Sequence, residues 1–179
     1  MLKTLENIGK PDELFATVIV HEADTGMVRP MTVADHHAAV AAIQLVPTVP
    51  DAVRVVFDRA RNAFLFSWFV YDLTPLAESQ GYAALEMALR KRRGEQTAER
   101  IPRGLAEQLQ TAFRDGYFDD YPVPASDEST DHAAYFEQVT TLVRHFRNHL
   151  AHGSEYVNMP GATLDALRLC CDLINHLYK

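Results

Sequence analysis

The chain has little cysteine, few basic residues and no long hydrophobic run. Its only cysteines, Cys170 and Cys171, are adjacent. Neighbouring residues are poorly placed to bridge each other, which excludes a disulfide framework. The formal charge is −7, so the surface as a whole repels nucleic acid, and RNA binding would need a local basic patch or a basic partner. The longest apolar run, residues 63–71, contains Ser67 and is too short to span a bilayer.

These scarcities also limit the kinds of site that the chain can carry. The first residues lead into charged sequence, so we predict neither a secretory signal nor a membrane partner. The lack of a disulfide framework favours a reduced, cytoplasmic setting. Phosphate-cradling glycine loops, nucleophile elbows and dinucleotide fingerprints are missing. His36 and His37 have no cysteine or carboxylate at ligand spacing. We therefore expect both histidines to be solvated, and predict no metal site and no cofactor.

The residues that are abundant suit an all-α fold. Of the 179 residues, 47% are hydrophobic, which is enough for the core of one domain. From Asp51 onward the apolar residues recur at helical spacing. Caps, prolines and glycines divide this part into helices predicted at about residues 51–72, 74–93, 102–116, 131–153 and 163–178. Short connections between them predict an up-and-down helical bundle of about five helices over residues 51–179.

Residues 1–50 form a distinct N-terminal extension, which we expect to pack on the bundle. Residues 14–20 are apolar and rich in β-branched side chains, a pattern typical of either a strand or a short helix. A loop follows at Gly26 and Pro30. Thr32 and Asp35 then resemble a capping box, which predicts that a helix begins there.

The richest chemistry lies near the end of the predicted helix at residues 131–153. Arg147, Asn148 and His152 stand within six residues, just before the helix stop at Gly153. A guanidinium can hold a phosphate with a bidentate fork, and an imidazole can move a proton near neutral pH. Arginine and histidine near a helix C-terminus also favour the negative end of its dipole. The residues alone therefore leave a site and a solvated helix end as alternatives.

Helical geometry places these side chains on different faces. At about 100° per residue, the apolar side chains form one stripe, Arg147 flanks it, and Arg144, Asn148 and His152 face away, with His149 beside them. The predicted core stripe is Val139, Leu142, Val143, Phe146 and Leu150. Arg147 and His152 are roughly 140° apart on a regular helix. Either the last turn unwinds, or a working site combines two copies of the helix, which would predict a homodimer.

The arrangement Arg147-Asn148, three residues, His152-Gly153 resembles the signature of the HEPN superfamily (higher eukaryote and prokaryote nucleotide-binding). Its position, near the end of a late helix that is followed by a loop and a last helix, is similar too. Residues 83–90, which follow an aromatic-rich helix, resemble an earlier part of such domains. The resemblance covers about residues 51–179 and leaves the first fifty unexplained.

The resemblance implies a helical bundle that dimerises, and in many members a metal-independent ribonuclease. Carried over, Arg147 would hold the scissile phosphate, and His152 would be the general acid/base for attack by the RNA 2′-hydroxyl. Asn148 would orient the phosphate or His152. Arg144 and His149 are candidates for RNA contacts or for supporting these residues.

Glu86 lies in the earlier part of the resemblance, and two roles are open for it. It can form an ordinary surface pair with Arg90 four residues later. In related domains a polar residue of this helix can instead face the motif, and the resemblance implies that Glu86 could do so. The basic run at residues 90–93 is either a helix C-terminus or a local RNA patch.

Two functions follow as hypotheses. The first is a HEPN-type endoribonuclease that acts in defence, in a stress response or in a toxin–antitoxin pair, where an antitoxin would be the partner protein. The second is a noncatalytic dimeric module that binds a nucleotide or a protein, which the acidic balance favours. A helical bundle outside this superfamily, with no site, is a third reading.

Overall fold

The computed structural model describes residues 2–22, 24–96, 104–123, 131–151 and 157–179, with the backbone alone at 95, 96, 149 and 151. These parts contain six α-helices: α1 (Val33–Ala41), α2 (Asp51–Phe66), α3 (Thr74–Gln96), α4 (Leu105–Arg114), α5 (His132–Ala151) and α6 (Pro160–Leu177). Two short strands, β1 (Ile19–His21) and β2 (Val28–Pro30), pair antiparallel. The predicted all-α bundle is confirmed. No described helix is both long and apolar enough to cross a membrane.

Helix boundaries differ from the prediction at four places. The helix from Asp51 ends at Phe66 rather than near residue 72. There the hydroxyl of Ser67 donates to the carbonyl of Phe64 at 2.6 Å, which offers the backbone an alternative to continued helix. α3 continues through Gly94 to Gln96, and α6 begins three residues early, at Pro160. α4 begins at Leu105, after the predicted start at Pro102, which lies outside the described residues.

The N-terminal extension contains both structures that residues 14–20 allowed. A 3-10 turn at Phe15–Thr17 runs into β1. The predicted capping box is confirmed: Thr32 Oγ1 accepts from the backbone N–H of Asp35, whose carboxylate accepts from the N–H of Thr32. Arg29 from β2 holds the same carboxylate with a bidentate pair at 2.6 and 2.9 Å. This guanidinium keeps the pKa of Asp35 well below its usual range.

A small aromatic cluster joins the extension to the bundle. Phe15 is fully buried, with ring centroids 5.1 Å from Trp68 and 5.8 Å from Tyr71, in the connection between α2 and α3. The carboxylate of Asp12 accepts from the backbone N–H of Tyr71 at 3.2 Å. Trp68 is therefore a core residue of this cluster, with its ring buried against Phe15.

The prediction that His36 is solvated is wrong. Its side chain is 2% exposed, with edge-on contacts to the rings of Phe15 and Phe64. Its Nε2 lies 2.8 Å from the carbonyl oxygen of Phe64, so burial costs no hydrogen bond. Burial lowers its pKa, against the opposing effect of that backbone contact. His37, one residue on, is exposed as predicted.

α3 is the central helix of the bundle, since it packs against α2, α4, α5 and α6. It packs tightly against α6 at Gly81, where a Cβ atom would lie 2.8 Å from Cδ2 of Leu167. Packing on so many sides leaves α3 one face that the bundle does not bury. That face, called the α3 stripe below, consists of Leu76, Ser79, Ala83, Glu86 and Arg90.

Both cysteines lie on α6 as free, buried thiols. Burial raises the pKa of Cys171 to about 11 and raises that of Cys170 further. Thiols that stay protonated at neutral pH are poor nucleophiles. The pair therefore serves as apolar packing, which agrees with the absence of a disulfide framework.

Two glycines of α3 should respond oppositely to alanine. Gly81→Ala should destabilise the fold by about 1–3 kcal/mol, because the new methyl group meets the buried Leu167 side chain. Gly94→Ala should stabilise it by about 0.5–1 kcal/mol, because its Cβ would meet nothing within 4 Å and alanine favours the helix. Urea unfolding of the two variants checks this, and similar shifts in both would contradict the helix packing described.

The buried His36 should make the fold sensitive to acid. Its folded pKa lies below the unfolded value, so protons favour the unfolded chain as the pH falls below about 6.5. Wild type should lose unfolding free energy between pH 7.5 and 5.5, and His36→Phe should lose less. The carbonyl of Phe64 keeps its bond from Ser67 in that variant. His37→Gln is the exposed control, and an equal effect in both variants would refute the assignment.

Candidate functional site

The buried side of α5 positions the motif arginine. Phe136 stacks on Phe113 of α4 at a centroid distance of 4.9 Å, and Val139 and Val143 are buried behind it. Leu142, predicted for the same stripe, is 47% exposed instead. It lies about 100° around the helix from Val143, on a side where the neighbouring positions Thr141 and His145 are exposed as well. The remaining members, Phe146 and Leu150, are half-buried against the core.

Arg147 follows Val143 by one turn, so its side chain leaves α5 at the edge that faces α3. Its Nη2 lies 3.5 Å from Oε2 of Glu86, and the two side chains are 45% and 19% exposed. Glu86 thus faces the motif rather than Arg90, the second of its two predicted roles. An exposed pair at this distance is worth at most about 1 kcal/mol. The guanidinium therefore remains able to bind an incoming anion.

The other predicted site residues are only partly described. Arg144 and Asn148 are exposed, as the helical geometry predicted. The side chain of His149 and the whole of His152 lie outside the described residues. The relation of Arg147 to His152 stays a prediction, as does the choice between an unwound last turn and two copies of the helix.

A cavity of about 170 Å³ lies between α3 and α5, next to the Arg147–Glu86 pair. Its lining residues, which define the α3–α5 cavity, are Ser79, Tyr82, Ala83, Glu86, Arg147 and Leu150. Neither the Ser79 nor the Tyr82 hydroxyl forms a hydrogen bond with any residue that the structure describes. Burial raises the pKa of Tyr82, so its hydroxyl stays protonated. One cation, one carboxylate and two neutral hydroxyls therefore share a single cavity.

A buried carboxylate on α3 fixes the chain where it returns from the motif to α6. Glu78 is 2% exposed. Both its oxygens accept from Nδ2 of Asn158 at 2.9 Å, and one accepts from the hydroxyl of Thr163 at 2.6 Å. The hydroxyl of Tyr71 donates to the backbone carbonyl of Asn158. This role could not be predicted from sequence spacing, because the partners of Glu78 are about eighty residues away.

The basic run at the end of α3 is partly used in packing. Arg93 pairs with Asp115 at 2.7 Å, and the guanidinium of Arg92 lies 5.9 Å from the ring centre of Tyr178. Arg90 and Lys91 are exposed, and Arg90 belongs to the α3 stripe. The run therefore offers less positive charge to a ligand than its four basic residues suggest.

Metal ligation and similarity to known proteins give no further assignment. Within the described ranges, no group of three or more histidine, cysteine, aspartate or glutamate side chains could hold a metal ion. No protein-family model, curated protein or solved structure matches the chain. The candidate site therefore stands on its own geometry and on the motif.

Removing the Glu86 charge should expose Arg147 to anions. Glu86→Gln should tighten the binding of inorganic phosphate about two- to fivefold, since a surface pair of this kind is worth up to about 1 kcal/mol. The dissociation constant can be measured from amide chemical shifts. Asp165→Asn, which removes a carboxylate 3.3 Å from Arg168 on α6, should leave the phosphate affinity measured from the amide shifts around Arg147 unchanged. Unchanged or weaker phosphate binding in Glu86→Gln would show that this pair does not compete with anions.

Proposed function

We propose that the chain is a HEPN-type, metal-independent endoribonuclease that works as a homodimer. The observation that carries the proposal is Arg147. It lies on the exposed edge of a late helix, is only loosely paired, and borders a cavity lined with polar side chains. By contrast, Arg93 is 11% exposed and is held by Asp115 at 2.7 Å, so that guanidinium is committed to the fold.

In the proposed reaction, the 2′-hydroxyl of one nucleotide attacks the adjacent phosphorus as His152 takes its proton. The bond from phosphorus to the 5′-oxygen breaks, and an imidazolium returns a proton to that oxygen. The products are a 2′,3′-cyclic phosphate and a 5′-hydroxyl. Arg147 neutralises the charge that builds on the phosphoryl oxygens, and Asn148 orients the phosphate or His152. DNA lacks the nucleophile and is not cleaved.

A dimer would resolve the angular separation of the motif residues. Arg144 and Asn148 are exposed on α5 next to Arg147, so this part of the helix is open to a second copy. Two copies would supply two imidazoles, one as the base and the other as the acid. Defence, a stress response or a toxin–antitoxin pair are the proposed settings, with an antitoxin as the partner protein in the last.

A noncatalytic binding module is the second candidate, and charge favours it. The chain carries −7 overall, Glu86 faces the motif arginine, and Arg92 and Arg93 are engaged within the fold. Such a surface suits a nucleotide or a protein partner better than a long polyanion. In that reading, Arg147 would bind without any cleavage.

The deciding experiment is RNA cleavage in EDTA. Wild type should cleave a mixed RNA panel to cyclic-phosphate ends, and Arg147→Ala and His152→Ala should each lose about 100-fold or more in rate. Arg168→Ala is the matched control, because that arginine is similarly exposed and lies 3.3 Å from a carboxylate, close to the 3.5 Å between Arg147 and Glu86. It should cleave like wild type.

Two kinds of result would contradict the ribonuclease proposal or favour the binding module. Cleavage that requires a divalent cation, or that survives Arg147→Ala, would contradict the proposed chemistry. Intact RNA with folded wild type, together with nucleotide binding that Arg147→Ala abolishes, would favour the binding module.

A further inference from the structure

The α3–α5 cavity is smaller than a site that encloses a whole ligand. Small-molecule pockets commonly measure about 300–1,000 Å³, whereas this cavity measures about 170 Å³. It opens beside Arg147, whose side chain is nearly half exposed. A ligand held by Arg147 would therefore place one of its parts in the cavity and leave the rest outside.

The lining chemistry indicates which part that is. Arg147 attracts an anionic oxygen, and the carboxylate of Glu86 can accept from a hydroxyl group. The hydroxyls of Ser79 and Tyr82 can donate to either kind of oxygen, and neither forms a hydrogen bond with a described residue. A phosphate joined to a sugar carries this combination of anionic and hydroxyl oxygens.

The same lining is unsuited to reading a base. Protein sites that select bases in single strands use exposed aromatic faces for stacking and polar groups for the base edges. Among the residues that the structure describes, the aromatic ring that lines the cavity is that of Tyr82, which is 4% exposed and lies within the core cluster. A ring so deeply buried offers no open face for stacking, and the hydroxyl is the polar group that Tyr82 brings to the cavity lining.

We infer that the α3–α5 cavity binds one sugar–phosphate unit of RNA, that Tyr82 and Ser79 are binding residues within it, and that it does not select the base. This rests on the proposed function, since it assigns to the cavity the RNA backbone next to the phosphate on Arg147. RNA cleavage should accordingly depend little on base identity at that position.

Packing gives Tyr82 a fixed place in the cavity. The preceding residue, Gly81, is packed so tightly on α6 that an added Cβ atom would lie 2.8 Å from the Leu167 side chain, and Tyr82 itself is 4% exposed within the core cluster. Ser79 lies three residues earlier on the same side of the helix and belongs to the α3 stripe. A fixed hydroxyl loses little freedom when it binds, which favours its use in recognition.

The test measures binding apart from cleavage. Ribose 5-phosphate and the four ribonucleoside 5′-monophosphates are titrated into the full chain, followed by amide chemical shifts. All five should bind within about threefold of one another, and adenosine without phosphate should not bind. Tyr82→Phe and Ser79→Ala should each weaken ribose 5-phosphate by about two- to tenfold, the effect of one hydrogen bond. Tyr117→Phe, a partly buried tyrosine outside the cavity, is the control and should bind like wild type.

Three results would overturn the inference: no binding of ribose 5-phosphate, a preference above tenfold for one base, or unchanged binding in a folded Tyr82→Phe. These outcomes are separable from failure of the ribonuclease proposal. Binding that depends on Tyr82 while RNA stays intact supports the subsite and refutes the cleavage. Arg147-dependent cleavage with a strong base preference supports the cleavage and refutes the subsite.

Discussion

The packing of α3 on four neighbouring helices is the constraint on which the rest of the structure depends. A helix covered on most sides must be apolar or hydrogen-bonded around most of its circumference, and α3 meets this with alanine, leucine and a glycine that packs tightly on α6. What remains uncovered is the α3 stripe. Because α5 crosses the edge of this stripe, any site shared by the two helices must lie there. Arg147, Glu86 and the α3–α5 cavity occupy that position.

Through the buried carboxylate of Glu78, α3 also holds the residues that lead from the motif into α6. Burying Glu78 without partners would cost several kcal/mol, and three donor contacts from Asn158 and Thr163 offset that cost. Tyr71 holds the backbone of Asn158 from the other side. Since Asp12 in turn holds the N–H of Tyr71, one set of hydrogen bonds joins the N-terminal extension, α3 and the start of α6. The extension is therefore tied to the same end of the bundle as the motif.

Sequence reasoning succeeded where the cause was local. Helical periodicity and caps predicted the six helices, and the Thr32–Asp35 capping box was correct because its partners are three residues apart. Predictions from the sequence were wrong where a residue distant in the chain determined the environment of a side chain. His36 was expected in water, but Phe15 and Phe64 enclose it. For the same reason the burial of Glu78 was invisible from the sequence.

The site shows the same division between local and distant causes. The motif and helical geometry predicted an Arg147 that flanks the core stripe, with Arg144 and Asn148 exposed. No spacing rule could predict the cavity beside it, because Ser79 and Tyr82 come from a helix more than sixty residues earlier. Leu142 was misplaced because periodicity marks which side of a helix is apolar, not how far the neighbouring helix extends.

The net charge of the protein limits how these residues could bind RNA. A chain with a formal charge of −7 cannot attract RNA by its overall field, and two arginines of its one basic run are engaged with Asp115 and Tyr178. In the proposed function, affinity must therefore come from short-range contacts. Arg147 alone would bind any exposed phosphate weakly, and Glu86 lowers that affinity further. In this proposal, the hydroxyls of the cavity would raise the affinity for a phosphate that carries a sugar, which a single guanidinium could not do. In the proposed function, such a site would select the RNA backbone over free anions without a strongly basic surface.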